Sequence, residues 1–218
     1  MHHIRTAIAL CHRNRFAVLF VSLVVTIGAR PVLKMLSYTW NPMRFFLALI
    51  LLVAIVSSAR ERDRSLPLLG VAFLILRLYE ILVGHVPILH PSEAVWVIAC
   101  TMVAANTFRQ VLLPGVVDRE RIFAAMDAYI LSAIIFGVCY WVLNQAWPGS
   151  FGKSSAESFT QNDAIYFSFV TIATLGYGDI VPTSDPARGL VILEAVGAQL
   201  YLTILVARLV TLYEREKG

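Results

Sequence analysis

The chain has 218 residues, of which 58% are hydrophobic and only 15% are charged. A soluble domain carries roughly a quarter charged residues, so this composition excludes an ordinary soluble domain and predicts an integral membrane protein. The formal net charge of +4 is small, and we predict no nucleic-acid partner.

Six apolar segments are long enough to cross about 30 Å of hydrocarbon as helices. In chain order they are Phe16–Leu36, Met43–Ala59, Leu66–Val83, Ala94–Leu113, Ile122–Leu143 and Leu190–Leu212. The pair Arg30-Pro31 predicts that the first of them is kinked or ends early. The predicted fold is therefore an all-α membrane protein with six transmembrane helices.

The Lys and Arg residues fix the predicted orientation. Twelve of them lie on the side of the N-terminus and five on the opposite side, with Arg77 inside a span. Because basic loops stay in the cytosol, both termini are predicted to be cytosolic. The protein itself is predicted to lie in a plasma membrane. The long connection 144–189 then enters from the outer face.

That connection contains two local signals. Thr160 and Asp163 have the spacing of a helix-capping box. The apolar residues after them predict a re-entrant pore helix of about ten residues, which dips into the membrane between the fifth and sixth spans and is too short to cross it. Next comes the run Thr171–Asp179, which includes Gly176 and Gly178. Its glycines favour positive φ angles, and alternation of left- and right-handed residues turns successive carbonyl oxygens to one side. A ring of such strands can replace the water around a cation.

The residues 174–179, Thr-Leu-Gly-Tyr-Gly-Asp, resemble the selectivity filter of potassium channels, which commonly reads Thr-Val-Gly-Tyr-Gly-Asp. The resemblance implies K⁺ contacts from the carbonyls of four residues: Thr174, Leu175, Gly176 and Tyr177. It adds the Thr174 hydroxyl as the innermost ligand and a turn at Gly178. It places Asp179 behind the outer mouth, with Tyr166 and Thr171 as filter support.

The resemblance is specific over residues 122–212 and has departures. Where family members commonly have Val or Ile, Thr, a Trp pair and a buried Glu, this chain has Leu175, Ala173, Tyr166-Phe167 and Val170. Tyr166 can still donate a hydrogen bond towards Asp179, whereas Phe167 cannot donate to Tyr177. The oxygen ladder is unaffected because its oxygens belong to the backbone, but the rigidity of the filter is put in doubt.

Two residues of the sixth segment remain open to two interpretations. Gly197 lies about where the family has a hinge glycine, and it could equally permit close helix packing. Glu194 could accept hydrogen bonds behind the filter or face a wet cavity.

The leading segments match the six-helix class by number only. Arg77 and Glu80 are predicted to form a structural ion pair inside the membrane. His85 and His90 are predicted to be solvated loop residues rather than a pH sensor. The predicted parts are a cytosolic N-terminal segment 1–15, a sensor-like or scaffold domain 16–113, a linker 114–121, a pore domain 122–212 and a cytosolic tail 213–218.

The resemblance implies a homotetrameric, potassium-selective channel in the lipid bilayer that conducts K⁺ passively. We expect no enzymatic activity and no cofactor, with K⁺ as the permeant ion. A fourth segment without charges from Ala94 to Phe108 predicts no steep voltage gating. The alternatives are a weakly selective cation channel, a non-conducting accessory subunit and a potassium transporter; the single filter copy argues against a transporter.

Overall fold

The structure is a computed structural model that describes residues 15–35, 119–155 and 158–217, with isolated positions between 98 and 111. The chain divides into two compact units, Met1–Ala128 and Tyr129–Gly218. The predicted second and third spans, Arg77, Glu80, His85 and His90 all lie outside the described residues. The described positions between 98 and 111 are helical, as the predicted fourth span requires.

Helix α1, Arg15–Met35, corresponds to the first predicted span. It continues through Pro31 to Met35, so the helix does not end early at the Arg30-Pro31 pair. Phe16, Leu19 and Leu23 are buried, and their spacing places them on one helix face. The Phe16 N–H donates to Glu120 Oε2 at 3.0 Å.

Helices α2, Arg119–Ala146, and α4, Asp185–Lys217, correspond to the fifth and sixth predicted spans. Both contain a stretch long and apolar enough to cross a membrane. Helix α4 begins five residues before the predicted Leu190 because polar residues start it. The Ser184 hydroxyl accepts from the Ala187 N–H at 3.4 Å, and Asp185 in the first turn interacts favourably with the helix dipole.

Three short elements lie between these helices: strand β1, Phe151–Lys153; helix α3, Gln161–Ile172; and strand β2, Ile180–Pro182. The strands pair antiparallel with Gly152 opposite Val181. The predicted all-α fold did not include this two-stranded sheet. Helix α3 and the Thr171–Asp179 run separate its strands in the sequence. No local hairpin pattern therefore indicated that the strands pair.

The core of the second unit is aromatic. Its buried members come from all the elements around α3: Tyr140, Phe151, Ala164, Phe167, Ile180 and Ala187. The Tyr140 and Phe167 rings are 5.4 Å apart and meet edge to face, and the Phe151 and Phe159 rings stack at 5.1 Å. Large aromatic residues bury much apolar surface in such contacts. They therefore fix α3 against α2 and the sheet.

Helices α2 and α3 approach most closely at Gly137. A Cβ atom placed there would lie 2.6 Å from the Ile165 Cα atom. Ordinary contacts between carbon atoms are about 3.5–4.0 Å. Only glycine permits this separation of the two helices.

Candidate functional site

The N-terminus of α3 has the predicted capping box. The Asp163 N–H donates to Thr160 Oγ1 at 3.3 Å, and the Thr160 N–H donates to Asp163 Oδ2 at 2.9 Å. The Lys153 ammonium lies 3.2 Å from Asp163 Oδ1. Partial burial opposes ionisation of Asp163, but the Thr160 hydrogen bonds and the Lys153 charge outweigh it and hold the pKa of Asp163 below its usual value. The ion pair links β1 to the start of α3.

The C-terminus of α3 ends in a Schellman motif. The Thr174 N–H donates to the Thr171 carbonyl and the Leu175 N–H to the Val170 carbonyl, both at 2.9 Å. Thr174 occupies the left-handed position of this motif with φ of 58°, where glycine is usual. A β-branched residue in this conformation costs about 1–2 kcal/mol, so the surrounding structure must hold it there.

The left-handed conformation then recurs at every second residue. Gly176 has φ of 57° and Gly178 of 77°, whereas Leu175 and Tyr177 do not have positive φ. This is the alternation that the two glycines predicted. Within the chain, an added Cβ at Gly176 or Gly178 would meet no described atom within 4 Å. Glycine is required here by backbone conformation rather than by space.

The far end of this run is tied to the sheet. The Asp179 carbonyl accepts from the Ser154 N–H at 2.9 Å and from Ser154 Oγ at 3.1 Å. The hydrogen bond between the Tyr166 hydroxyl group and the Asp179 side chain makes the largest contribution to raising the pKa of Tyr166. The interaction expected between Tyr166 and Asp179 is therefore present.

A polar cluster lies behind the run, buried between three helices. Tyr140 Oη and Ser168 Oγ both hydrogen bond to the Glu194 carboxyl group. Ser168 Oγ also lies 2.6 Å from the Ala133 carbonyl oxygen. Of the two interpretations left open for Glu194, the structure supports the one in which it accepts hydrogen bonds inside the protein, because the residue is only 1% exposed.

Two members of this cluster, Tyr140 and Ser168, were missed by sequence reasoning. A tyrosine and a serine in apolar helices carry no sign of their partners. Asp127 was missed as well. It is fully buried, and within the described part of the chain neither of its carboxylate oxygens has a hydrogen-bond partner. A signal did exist for Asp127, since it is the only charged residue of the predicted fifth span and intramembrane acids are rare.

Two further expectations concern Phe167 and Gly197. Phe167 does not contact Tyr177 as a hydrogen-bond donor; it belongs to the buried aromatic core. An added Cβ at Gly197 would meet no described atom of the chain within 4 Å. Close packing of described residues within one chain therefore does not explain this glycine.

The acidic residues of this region are mostly paired. Asp163 pairs with Lys153, and Asp185 lies 3.5 Å from Arg188 on the exposed surface. Among the described residues Asp179 forms no ion pair, so its carboxylate is the main uncompensated charge beside the run.

The same region is similar to known proteins. A family model described as "Ion channel" matches residues 126–215. The chain is 37% identical over 60 residues to a protein named two pore potassium channel c from Oryza sativa subsp. japonica, covering 28% of this chain and 12% of that protein. It is 38% identical over 74 residues to the inward rectifier potassium channel Kirbac3.1 of Paramagnetospirillum magnetotacticum, covering 34% and 22% of the two chains. Residues 126–215 are thus similar to an ion channel family, and both of these relatives are named as potassium channels.

A third relative is also named as a potassium channel. The two-pore potassium channel 4 of Arabidopsis thaliana is 34% identical over 82 residues, which are 38% of this chain and 27% of that protein. The chain thus spans only about an eighth to a quarter of the length of these relatives. The matched region contains helix α3, strand β2 and most of α2 and α4. It also contains Thr174–Gly178, the segment predicted to be a filter and called the filter segment below.

Proposed function

We propose that this protein is a homotetrameric channel that conducts K⁺ selectively and passively across the plasma membrane. One observation carries the proposal: the left-handed conformation at Thr174, Gly176 and Gly178, in a segment whose sequence resembles the filter of potassium channels. Alternation of this kind turns the carbonyl oxygens of residues 174–177 to one side. Rings of such oxygens replace the hydration shell of K⁺.

Residue by residue, the carbonyls of Thr174, Leu175, Gly176 and Tyr177 are the proposed K⁺ ligands. The Thr174 hydroxyl adds an innermost ligand, and Gly178 turns the chain out of the filter. Support comes from the hydrogen bonds at the two ends of this segment, at Leu175 and at Asp179.

The exposure of the filter segment in a single chain supports a ring of subunits. The Leu175 side chain is 54% exposed and that of Tyr177 is 65% exposed. Irregular backbone at membrane depth is tolerated only where protein or an aqueous path surrounds it. One filter copy per chain then requires other subunits to complete the ring, and closed rotational symmetry is the usual solution.

Helix α4 presents a second uncovered surface. Ile192, Val196, Leu200 and Ile204 recur every four residues and are each more than half exposed. This spacing forms one stripe along the helix. In the proposed assembly α4 is the inner helix, and the stripe contacts neighbouring subunits or lipid.

Helix α3 is the proposed pore helix. At 12 residues it is too short to span a membrane, and we infer that it enters and leaves the bilayer on the outer side. Its C-terminal end leads directly into the filter segment. The negative end of the helix dipole then favours a cation below the filter.

The proposed channel has six transmembrane helices, cytosolic termini and no steep voltage sensor. The sequence from Ala94 to Phe108 contains no charged residue. Steep gating needs roughly three to four charges per subunit that move through the membrane field. The leading helices therefore form a scaffold in this proposal.

The test is reconstitution of the purified full-length chain in planar bilayers, with K⁺ on one side and Na⁺ on the other. We expect the current to reverse at a voltage that strongly favours K⁺. The matched control is Gly176→Ala, which should remove the current because the added Cβ opposes the left-handed conformation. A reversal potential near zero would refute selectivity. Absence of current from a protein shown to be correctly folded would refute conduction.

A further inference from the structure

The cluster behind the filter segment joins three helices through one carboxyl group. Glu194 from α4 contacts Ser168 from α3 and Tyr140 from α2. Ser168 Oγ also contacts the Ala133 carbonyl oxygen of α2 at 2.6 Å. Side chains of Glu194, Tyr140 and Ser168 are all 1% exposed or less.

The number of protons in this cluster determines its charge state. A serine hydroxyl donates one hydrogen bond and accepts others, whereas a carbonyl oxygen can only accept. If Ser168 donates to the Ala133 carbonyl, it has no proton left for Glu194. Its contact with Glu194 Oε1 is then a hydrogen bond only if the carboxyl group itself carries the proton. Tyr140 Oη donates to the other carboxyl oxygen, Oε2.

The surroundings of Glu194 favour the neutral acid. The titratable groups that face it come from α2, namely Tyr140, Cys139 and Tyr129. Helix α3 contributes only the hydroxyl of Ser168, and no ion pair of Glu194 is found within the described residues. A buried carboxylate without a cationic partner is strongly disfavoured.

The cluster is connected to the filter segment by a short path. Ser168 precedes Val170 and Thr171 on α3, whose carbonyls accept from the Leu175 and Thr174 N–H groups. Movement of α3 at Ser168 would therefore shift the first residues of the filter segment.

We propose that Glu194 is a positioning residue that keeps its proton at neutral pH and donates it to Ser168, holding α3 and the filter segment in the conducting arrangement. When the proton is lost, Ser168 must donate to the carboxylate and abandon the Ala133 carbonyl. The proposal rests on the proposed channel function for its effect on conduction, but the presence of the proton is independent of it.

The first measurement is infrared spectroscopy of the full-length protein in lipid, to detect the stretching band of a protonated carboxylic acid. Because the buried Asp127 is a second candidate for such a band, the comparison is made in an Asp127→Asn background. There we expect the band at neutral pH and expect Glu194→Gln to remove it. Asp185→Asn is the matched control on the same helix, because the Asp185 side chain is 97% exposed and the band should persist. A native spectrum without the acid band at neutral pH overturns the proposal, whatever the flux.

The second measurement is K⁺ flux into vesicles at a series of pH values. Glutamine can donate an amide N–H to Ser168 and accept from Tyr140 with its carbonyl oxygen. Glu194→Gln should therefore keep flux within about twofold, and this flux should not respond to pH. Glu194→Leu leaves Tyr140 and Ser168 without their partner and should lose about tenfold or more. In the native chain, flux should decrease over the same pH range in which the acid band decreases. If the band persists over the whole range that is measured, flux should stay constant.

Two outcomes separate the proposals. If native flux changes with pH and Glu194→Gln changes in the same way, Glu194 is not the positioning residue. If no folded variant carries flux, the channel proposal fails while the acid band still decides whether Glu194 holds a proton.

Should Glu194→Gln not fold, Tyr140→Phe provides the test. It removes a hydrogen-bond donor to the carboxylate and should move the loss of the acid band about one pH unit upward. No movement, or a downward one, counts against the cluster.

Discussion

The close approach of α2 and α3 at Gly137 allows a quantitative prediction. In Gly137→Ala the new methyl group would lie 2.6 Å from the Ile165 Cα atom and 3.1 Å from its backbone nitrogen. Because these neighbours are main-chain atoms, no side-chain rotation can relieve the clash. The two helices must separate by about 1 Å to restore an ordinary contact.

The expected cost follows from two opposing effects. Overpacking of a core typically costs about 1–3 kcal/mol, and replacing glycine with alanine in a helix returns up to about 1 kcal/mol. Since the contact at Gly137 is with backbone, we expect the upper end, a net loss of about 2 kcal/mol. For a chain of this size that corresponds to a decrease in the unfolding temperature of roughly 4–8 °C.

The assay is thermal unfolding of purified variants in detergent, followed by near-ultraviolet circular dichroism. Gly189→Ala is the matched control, since an added Cβ at Gly189 in α4 meets no described atom within 4 Å. It should leave the unfolding temperature unchanged or raise it slightly. Equal unfolding temperatures for the two variants would show that the helices are not held together as closely as the structure indicates.

The other predictions concern the filter segment, its outer mouth and voltage. Gly176→Ala should abolish K⁺ flux without preventing folding, because φ of 57° is costly for alanine; a folded variant that still conducts would contradict this. Asp179→Asn should reduce inward current more at low than at high ionic strength, since salt screens its charge; equal reduction would indicate a structural role through Tyr166. The pKa of Asp163 is lowered in the fold, so its stabilising contribution is complete above the unfolded value and is lost as the pH falls below about 4; thermal unfolding of Asp163→Asn should lack this part of the acid sensitivity. Conductance should change only gradually with voltage, and a curve that rises with several gating charges would contradict the scaffold role of the leading helices.

Features encoded by neighbouring residues could be predicted from the sequence. The capping box of α3 needs only Thr160 and Asp163, and the glycine spacing of the filter segment needs only its own residues. The two long helices α2 and α4 were located because their apolar composition is continuous. In each case the physical cause lies within one or two helical turns.

Features that depend on distant residues could not be predicted. The β1–β2 pairing joins residues 151–153 to residues 180–182, and the Glu194 cluster joins three helices. No periodicity indicates such partners before the chain folds. The left-handed conformation of Thr174 is an intermediate case, since the alternation was predicted but the helix-ending motif that imposes it was not.

The hydrogen bonds at both ends of the filter segment also restrict the number of residues between them. One end is held where the Leu175 N–H meets the Val170 carbonyl, and the other where the Asp179 carbonyl meets the Ser154 N–H. A single inserted or deleted residue in this interval would exchange left- and right-handed positions for every residue after it, placing Leu or Tyr where glycine is required. Length is therefore constrained here as strictly as composition, and evolutionary insertions should be confined to the connection between β1 and α3, where no such alternation has to be kept.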